Sequence, residues 1–283
     1  MLNNPTVVAR SLGKTFSLTP EGEEVGFTPR RKRIVVEALK PVSFAVSAGE
    51  SIGIIGQNGS GKSTLLSLIA GSESQSTGSI LVSSQPTLLS VSAALQQHLT
   101  GLQNVRLGLL AKGLSLSEAK NIELEVAQWA DIGDAIHRPM KTYSSGMGAR
   151  LRFAIATAVP PKVLLVDEAL ATGDAAFNAR ARSRMNSFLD NAATVFLASH
   201  SINEVRNQCK RVLWLHEGEL IADGPTDQVT RFYRKWTTLS SEGDRKTAAQ
   251  MIRRMKRDFV PKQIILDSEA AKMLDDTGPA GSS

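Results

Sequence analysis

The residues GQNGSGKS at positions 56–63 decide the fold of this chain. They match the phosphate-binding pattern G-x-x-x-x-G-K-[ST] at every fixed position. The apolar run SIGII at 51–55 precedes the motif, and the helix-forming run STLLSLIA at 63–70 follows it and stops at Gly71. A strand, a glycine-rich loop and a helix in this order predict a loop whose backbone N–H groups enclose a phosphate chain.

Each part of this motif has a role in binding a nucleoside triphosphate. The glycines let the backbone wrap around phosphate, Lys62 can reach the β and γ phosphates, and Ser63 can bind Mg²⁺. The predicted nucleotide-binding residues of this region are Gly56, Gln57, Asn58, Gly59, Ser60, Gly61, Lys62, Ser63 and Thr64.

A second motif, VLLVDE at 163–168, is an apolar strand that ends in two carboxylates. Open parallel sheets bind their ligands at the carboxyl ends of the strands, so we expect both side chains near the phosphate loop. Asp167 suits Mg²⁺ binding through water, and Glu168 suits polarisation of the water that attacks the γ phosphate. Without the phosphate loop, the same pair would be as consistent with solvent-facing carboxylates.

Apolar, β-branched runs alternate with helical stretches along much of the chain. This alternation predicts an α/β fold with a mainly parallel core sheet. We predict strands at 42–46, 51–55, 163–167 and 194–199, helices over 117–130, 145–158 and 175–190, and a hairpin over 212–224 that turns at Glu217 and Gly218.

Composition excludes several classes of protein. The chain has 283 residues, of which 42% are hydrophobic and 21% charged, so disorder throughout is excluded. No apolar run reaches the roughly 18 to 20 residues needed to span a bilayer. The single cysteine, Cys209, excludes an internal disulfide, and no secretory signal is visible, so a reducing cytoplasm is expected.

The formal net charge of +6 is concentrated in one region. Residues 231–262 carry 10 basic and 3 acidic side chains, whereas residues 1–230 carry 22 basic and 20 acidic ones. Because the basicity is local, a protein that coats nucleic acid is not expected, and we predict no nucleic-acid partner.

A third motif lies between the first two, where YSSGM at 143–147 precedes the run GARLRFAIATA. With the phosphate loop and the acidic pair, it resembles the ATP-binding-cassette (ABC) family, whose signature loop LSGGQ also precedes a helix. Ser144 and Gly146 match that loop, whereas Ser145 and Met147 depart from it. Without the family, a Ser-Gly turn before a helix would indicate only an N-cap.

The resemblance covers roughly residues 6–236 and implies ATP and Mg²⁺ as cofactors. It also implies a P-loop ABC ATPase cassette with a mainly parallel core sheet, an antiparallel β subdomain and a helical signature subdomain. Phe16 takes the place of the aromatic that stacks on adenine, although a core phenylalanine is an alternative. The implied roles are catalytic for Lys62, Glu168 and His200, nucleotide-binding for Ser144, Gly146 and Asp174, and metal-binding for Ser63 and Asp167.

The resemblance also implies partners. In the family, two cassettes bind two ATP molecules between them, each site joining the phosphate loop of one subunit to the signature loop of the other. A homodimer, a separate integral-membrane permease and a peripheral position at the inner, cytoplasmic face of a bacterial membrane are therefore expected.

Within the family, the chain resembles the polysaccharide-export subgroup, which includes the O-antigen, teichoic-acid and galactan exporters. YSSGM, LTGLQNV at 99–105 and VDEALATGDAAF at 166–177 resemble its sequences. The predicted function is ATP-driven export of a lipid-linked cell-surface polysaccharide, with a multidrug or nutrient transporter as the alternative. ABC ATPases of DNA repair insert long coiled coils, for which the interval between Lys62 and Asp167 leaves no room, and ribosome-associated members carry two cassettes.

The glutamine of the family's Q-loop is unassigned in this sequence. Spacing from Thr100 puts it near Ser90 or Val91, and neither residue is a glutamine.

We predict an ABC ATPase domain over residues 1–237 and a short basic extension with a disordered tail over 238–283. In the extension, an apolar stripe at helical spacing either packs on this protein's own cassette or docks on the acidic membrane face or the permease. The stripe consists of Ala248, Met251, Ile252, Met255 and Phe259.

Overall fold

The computed structural model describes residues 4–18, 34–89, 95–167, 175–191 and 193–265, and within them the strands form two sheets. The strands are β1 (Pro5–Leu18), β2 (Ile34–Ser47), β3 (Ser51–Ile55), β4 (Thr77–Val82), β5 (Thr87–Leu88), β6 (Val163–Asp167), β7 (Thr194–Ala198), β8 (Arg211–His216) and β9 (Glu219–Pro225).

The larger sheet has six strands in the order β5-β6-β7-β3-β8-β9. All neighbouring pairs are parallel except β8 and β9, which are antiparallel. Every residue of β3 and β7 is buried, which explains their continuous apolar sequences. The predicted parallel core is confirmed, and the carboxyl ends of β3, β6 and β7 lie along one edge of the sheet.

The smaller sheet is antiparallel, with the order β2-β1-β4. It corresponds to the antiparallel β subdomain that the family resemblance implies. In its register Val8 lies opposite Ala45 and Phe16 opposite Val36, with irregular pairing between Ala9 and Leu12.

The helices cover both faces of the larger sheet and form a separate group between β5 and β6. They are α1 (Lys62–Ala70), α2 (Gly101–Ala111), α3 (Leu116–Ala130), α4 (Ser145–Ala156), α5 (Ala175–Asp190), α6 (Ile202–Gln208), α7 (Thr226–Ser241) and α8 (Arg245–Asp258). The predicted helices over 117–130, 145–158 and 175–190 therefore end within two residues of α3, α4 and α5.

Alternate residues of the central strands enter two cores. Ile52 and Ile54 of β3 pack with α1 and the antiparallel sheet, whereas Ile55 packs with α5, α6, α7 and α8. A third core joins α2, α3 and α4, and it is the helical subdomain expected to carry the signature loop. Arg106 ties α2 to α3 through two hydrogen bonds of 2.7 and 2.8 Å to Glu123.

The C-terminal part of the described chain packs on the cassette. Helix α7 runs across the predicted boundary between residues 237 and 238, and α8 packs against α7 and β9. Ala248 and Ile252 are buried in the same core as Trp236, with Met251 and Met255 packed at its margin. The apolar stripe of the extension is thus covered by this chain itself. None of the helices in the described part of the chain is long and apolar enough to cross a membrane.

Candidate active site

The phosphate loop joins β3 to α1 and depends on glycine at positions that approach other backbone. Gly61 has a φ of 98°, and a Cβ atom there would lie 2.7 Å from the carbonyl oxygen of Ala38. A side chain at Gly56 would overlap the carbonyl oxygen of Leu215 in the neighbouring strand β8. Gly59 has a φ of 77° and open space around it. The loop is therefore held closely at both ends and open at its middle.

Lys62 is the first residue of α1, and only 7% of it is exposed. Its ammonium group donates hydrogen bonds of 2.9 and 3.0 Å to the carbonyl oxygens of Gly56 and Gln57. The buried hydroxyl of Ser60 has no hydrogen-bond partner among the described residues. A buried cation, an unpartnered hydroxyl and the N-terminus of a nine-residue helix fit the phosphate chain of a nucleotide.

A pocket of about 690 Å³ brings the phosphate loop together with the second motif. Lys62, Ser63 and Thr64 line it from α1, and Asp167 lines it from the carboxyl end of β6. Ser63 and Asp167 supply hydroxyl and carboxylate oxygens, the donors that Mg²⁺ prefers. The residues present at this edge of the sheet therefore fit a metal–nucleotide complex.

The lining of this pocket also contains residues that the sequence patterns did not assign to the site. They are Val36, Glu37 and Ala38 of β2, and Glu217 and Gly218 of the turn between β8 and β9. The turn was expected from its Glu-Gly pair, but its place beside the phosphate loop depends on β8 lying next to β3. For β2, no local signal distinguished these three residues from the rest of the strand.

Phe16, the predicted adenine platform, lies on β1 opposite Val36, which lines the pocket. Its side chain is half-buried and outside the described core clusters, so the structure does not support the core alternative. The Lys14 ammonium lies 4.8 Å from the ring centroid. Stacking of adenine on Phe16 stays a prediction.

His200 lies just beyond β7 and is exposed at the same sheet edge. The described lining of the phosphate-loop pocket does not include it. The neighbouring Ser199 hydroxyl donates a 2.7 Å hydrogen bond to Glu204 and accepts one of 3.0 Å from the Ser201 N–H. These bonds fix the residues on both sides of His200 at the end of β7, which lies between β3 and β6 in the sheet.

The signature loop begins α4 in the helical subdomain. Ser144 is the N-cap, and its hydroxyl accepts a 3.2 Å hydrogen bond from the Met147 N–H. Ser144 and Ser145 are exposed, and a Cβ atom at Gly146 would meet no atom closer than 4.0 Å. The loop is absent from the described lining of the phosphate-loop pocket, so one chain does not bring these two motifs together.

Comparisons with known proteins agree with this arrangement. The family model for ABC transporters matches residues 39–171. The chain is 39% identical over 240 residues to the teichoic acids export ATP-binding protein TagH of Levilactobacillus brevis. The match covers 82% of this chain and 66% of that protein. The TagH protein of Lactiplantibacillus plantarum is 40% identical over 200 residues, or 71% of this chain and 55% of that protein.

The chain belongs to the ABC transporter family. Its cassette spans between about a third and two thirds of the length of curated relatives, from 36% for TagH of Bacillus cereus to 66% for the Levilactobacillus protein.

Solved structures show the same fold. The dimeric, post-hydrolysis ATP-binding cassette MJ0796, bound to ADP and Pi, has a TM-score of 0.64 and 24% identity, and the match covers 78% of this chain and 98% of that chain. An ATP binding subunit of an ABC transporter has a TM-score of 0.66 and 22% identity, and covers 81% of this chain and 93% of that one. The predicted ABC cassette fold is confirmed.

In this ABC chain, the LTGLQN segment is hydrogen-bonded to the residues that immediately precede the signature loop. Asn104 is 1% exposed, and its amide donates hydrogen bonds of 2.9 and 3.1 Å to the carbonyls of Thr100 and Gln96. The carbonyl of Leu99 then accepts a 3.0 Å hydrogen bond from the N–H of Met140. The polar residues of the segment therefore have a structural role that the family resemblance alone did not identify.

Tyr143, the first residue of the YSSGM motif, contacts both the start of α2 and the residues that follow α3. Its hydroxyl donates a 2.6 Å hydrogen bond to the carbonyl of Ala135, and burial raises the pKa of the phenol. Thr100 and Gln103 form a capping box at the start of α2, whose first residue, Gly101, packs against Tyr143.

Several predicted site residues of the ABC cassette lie outside the described residues. Glu168 and Asp174 are among them, and so are Ser90 and Val91, where the Q-loop glutamine was sought. Their roles stay predictions.

Proposed function

We propose that this chain is the ATP-hydrolysing subunit of an ABC exporter that moves a lipid-linked cell-surface polysaccharide of the teichoic-acid class through a separate permease. The pocket shared by Lys62, Ser63 and Asp167 carries the ATPase part of the proposal. The identity to TagH proteins from several bacteria supports the polysaccharide part. In this proposal residues 1–237 are the ATPase domain and residues 238–283 its extension.

In this proposal, different residues of the chain bind the phosphates, hold the metal ion and polarise the attacking water. The Lys62 ammonium would neutralise the β and γ phosphates, and the N–H groups of the first turn of α1 would bind their oxygens. Ser63 and Asp167 would hold Mg²⁺, which when bound offsets the negative charge of the triphosphate. Glu168 would polarise the attacking water, and His200 would contact the γ phosphate.

We infer a homodimer because the signature loop is exposed and does not line the pocket of its own chain. In the proposed assembly, Ser144 and Gly146 of one subunit complete the nucleotide site of the other, and Asp174 lies in the contact between them. The open surroundings of Gly146 support this, since a phosphate can approach it without displacing side chains.

The permease contact is assigned to a second cleft, of about 660 Å³, between the core sheet and the helical subdomain. Leu88, Leu95 and Leu107 contribute an apolar lining, and Leu107 is 48% exposed, while Lys112 and Arg152 supply positive charge. An exposed apolar cleft with a charged margin suits a segment of a protein partner. This contact would hold the cassette at the inner face of the membrane.

Contact with lipid itself would be electrostatic. The apolar stripe of α8 is covered by the cassette, but Arg253, Arg254 and Arg257 face outward. Each basic residue close to an anionic membrane contributes about 1 kcal/mol, and salt weakens the effect.

Mg²⁺-dependent ATP hydrolysis by the purified chain tests the first part of the proposal. Lys62→Ala should lower turnover by at least about 100-fold, because the phosphates lose their buried positive partner. Lys120→Ala is the matched control, since Lys120 is exposed on α3, and it should leave turnover unchanged. Turnover at the wild-type level in Lys62→Ala would contradict the assignment of this site.

Depletion of the chain in cells tests the second part. A lipid-linked glycan should accumulate on the cytoplasmic side of the membrane, and a polysaccharide permease should co-purify with the tagged chain. Accumulation of a drug or loss of a nutrient, with glycan export intact, would favour another ABC transporter instead.

A further inference from the structure

We propose that helix α8 positions the phosphate loop, because Lys256 holds Glu219 and Glu219 fixes the β8–β9 turn that lines the nucleotide pocket. This inference rests on the proposed ATPase function and extends it to a residue outside the family motifs. It gives the basic C-terminal segment a role that its charge pattern alone does not suggest.

The first step is the attachment of α8 to the cassette. Ala248 and Ile252 anchor the helix in the core, which fixes the direction in which its last turn points. From that turn, the Lys256 ammonium lies 2.6 Å from a carboxylate oxygen of Glu219, and the lysine side chain is only 26% exposed. Lys262 makes a second tie farther along, 2.9 Å from the carboxylate of Asp223 on β9.

The second step is the position of Glu219, where three elements meet. It is the first residue of β9 and follows Gly218 directly. Its carboxylate also lies 3.4 Å from the ammonium of Lys40 on β2. Burial of Glu219 would raise the pKa of its carboxyl, but the hydrogen bonds and charges of Lys256 and Lys40 lower the pKa overall. The carboxylate is therefore held in its charged form between two cations.

The third step is the contact between the turn and the phosphate loop. Glu217 and Gly218 have φ angles of 52° and 75°, so both turn residues are left-handed. That conformation is unfavourable for glutamate and persists where the flanking residues are held in place. The N–H of Gly218 donates a 3.2 Å hydrogen bond to the carbonyl of Ser60, and its carbonyl accepts one of 2.7 Å from the N–H of Lys40.

These steps distinguish Lys256 from the other cations of α8. Arg254 and Arg257 pair with Asp258 at the end of their own helix, and both side chains are mostly exposed. Among the described α8 residues, Lys256 is the cation that pairs with the hairpin beside the nucleotide pocket. Loss of its charge should therefore loosen the turn and weaken nucleotide binding without removing a group that contacts the reacting atoms.

The test measures ATP hydrolysis by the full chain as a function of ATP concentration. Lys256→Met should raise KM about two- to fivefold and leave kcat within about twofold, as expected for loss of a partly exposed ion pair that supports binding. Lys256→Arg should keep KM at the wild-type value, because it retains the positive charge. Arg253→Met, which removes an exposed cation of the same helix, should also leave KM unchanged.

Glu219→Gln supplies the second variant. It should raise KM at least as much as Lys256→Met does, because it also removes the charge that faces Lys40. The double variant should be no worse than Glu219→Gln alone, because the Lys256 pair is already lost there. An unchanged KM in Glu219→Gln or Lys256→Met, or a fall in kcat with KM unchanged, would overturn the inference. If Lys256→Met does not fold, the KM of Glu219→Gln decides whether this ion pair supports nucleotide binding. Absence of ATP hydrolysis by the unmodified chain would contradict the proposed function itself.

Discussion

The phenolic oxygen of Tyr143 lies against the α-carbon of Gly101, so closely that a methyl group on the glycine would overlap it. Gly101 begins α2, next to the proposed permease cleft, and Tyr143 begins the signature loop. The contact therefore joins two functional regions of the helical subdomain through one pair of residues.

Gly101→Ala should lower the free energy of unfolding by about 1–3 kcal/mol, because the added methyl group has to displace Tyr143 and Ile136. Urea unfolding measures this change. Gly224→Ala is a suitable control, since a Cβ atom there would lie 3.6 Å from Val229, an ordinary contact distance. Gly101→Ala should cost less in a Tyr143→Phe background than in the wild type, because the overlapped oxygen is absent there. An equal cost in both backgrounds would show that the strain lies elsewhere.

Gly146→Asp should leave the fold intact, since the space around this glycine is open and a carboxylate near the start of α4 is favoured by the helix dipole. ATP hydrolysis should fall by about 100-fold or more, because the new charge would face the γ phosphate bound by the other subunit. Nucleotide binding to the monomer should persist, and Gly146→Ala should cost much less activity. Equal loss of binding and hydrolysis would point to misfolding.

Glu168→Gln separates nucleotide binding from chemistry. It should lower hydrolysis by about 100-fold or more, because an amide does not accept the water proton, while the phosphate loop is unchanged. The ATP-bound dimer should then accumulate and be visible by size-exclusion chromatography with light scattering. Glu125→Gln, an exposed carboxylate on α3, is the control. Normal hydrolysis in Glu168→Gln, with the protein monomeric in ATP, would exclude Glu168 as the general base.

Ile252→Ala tests the packing of α8. The side chain is buried in the core below β8, so its truncation should lower the free energy of unfolding by about 2–5 kcal/mol. Arg253→Ala, at the exposed neighbouring position, should stay within about 0.5 kcal/mol of the wild type. If Ile252→Ala leaves the free energy of unfolding unchanged, the result would favour docking of the apolar stripe on the membrane or the permease.

Much of the fold could be predicted from local sequence. The strands β3, β6 and β7 are short apolar runs, and their boundaries follow from where those runs end. Helix α2 was not predicted, although the pair Thr100 and Gln103 carries the spacing of a capping box. Helix α7 was also missed, although Val229, Tyr233 and Trp236 have the spacing of a buried helix face.

The candidate site divides in the same way. Lys62, Ser63 and Asp167 could be predicted because each belongs to a motif with its own spacing and flanking elements. Glu217 and Gly218 could not, because their proximity to the phosphate loop depends on the order of distant strands. The tie from Lys256 to Glu219 joins residues 37 positions apart and likewise has no local pattern.

The position of β3 in the larger sheet has a consequence for biosynthesis. Both of its neighbours, β7 and β8, begin after residue 190, although the phosphate loop that follows β3 is complete by residue 63. A chain emerging from the ribosome therefore carries β3 without its neighbours until β7 and β8 have been made, although every residue of β3 is buried in the folded protein. Such non-local pairing is slow and leaves a strand open to aggregation. The nucleotide pocket is thus a late product of folding.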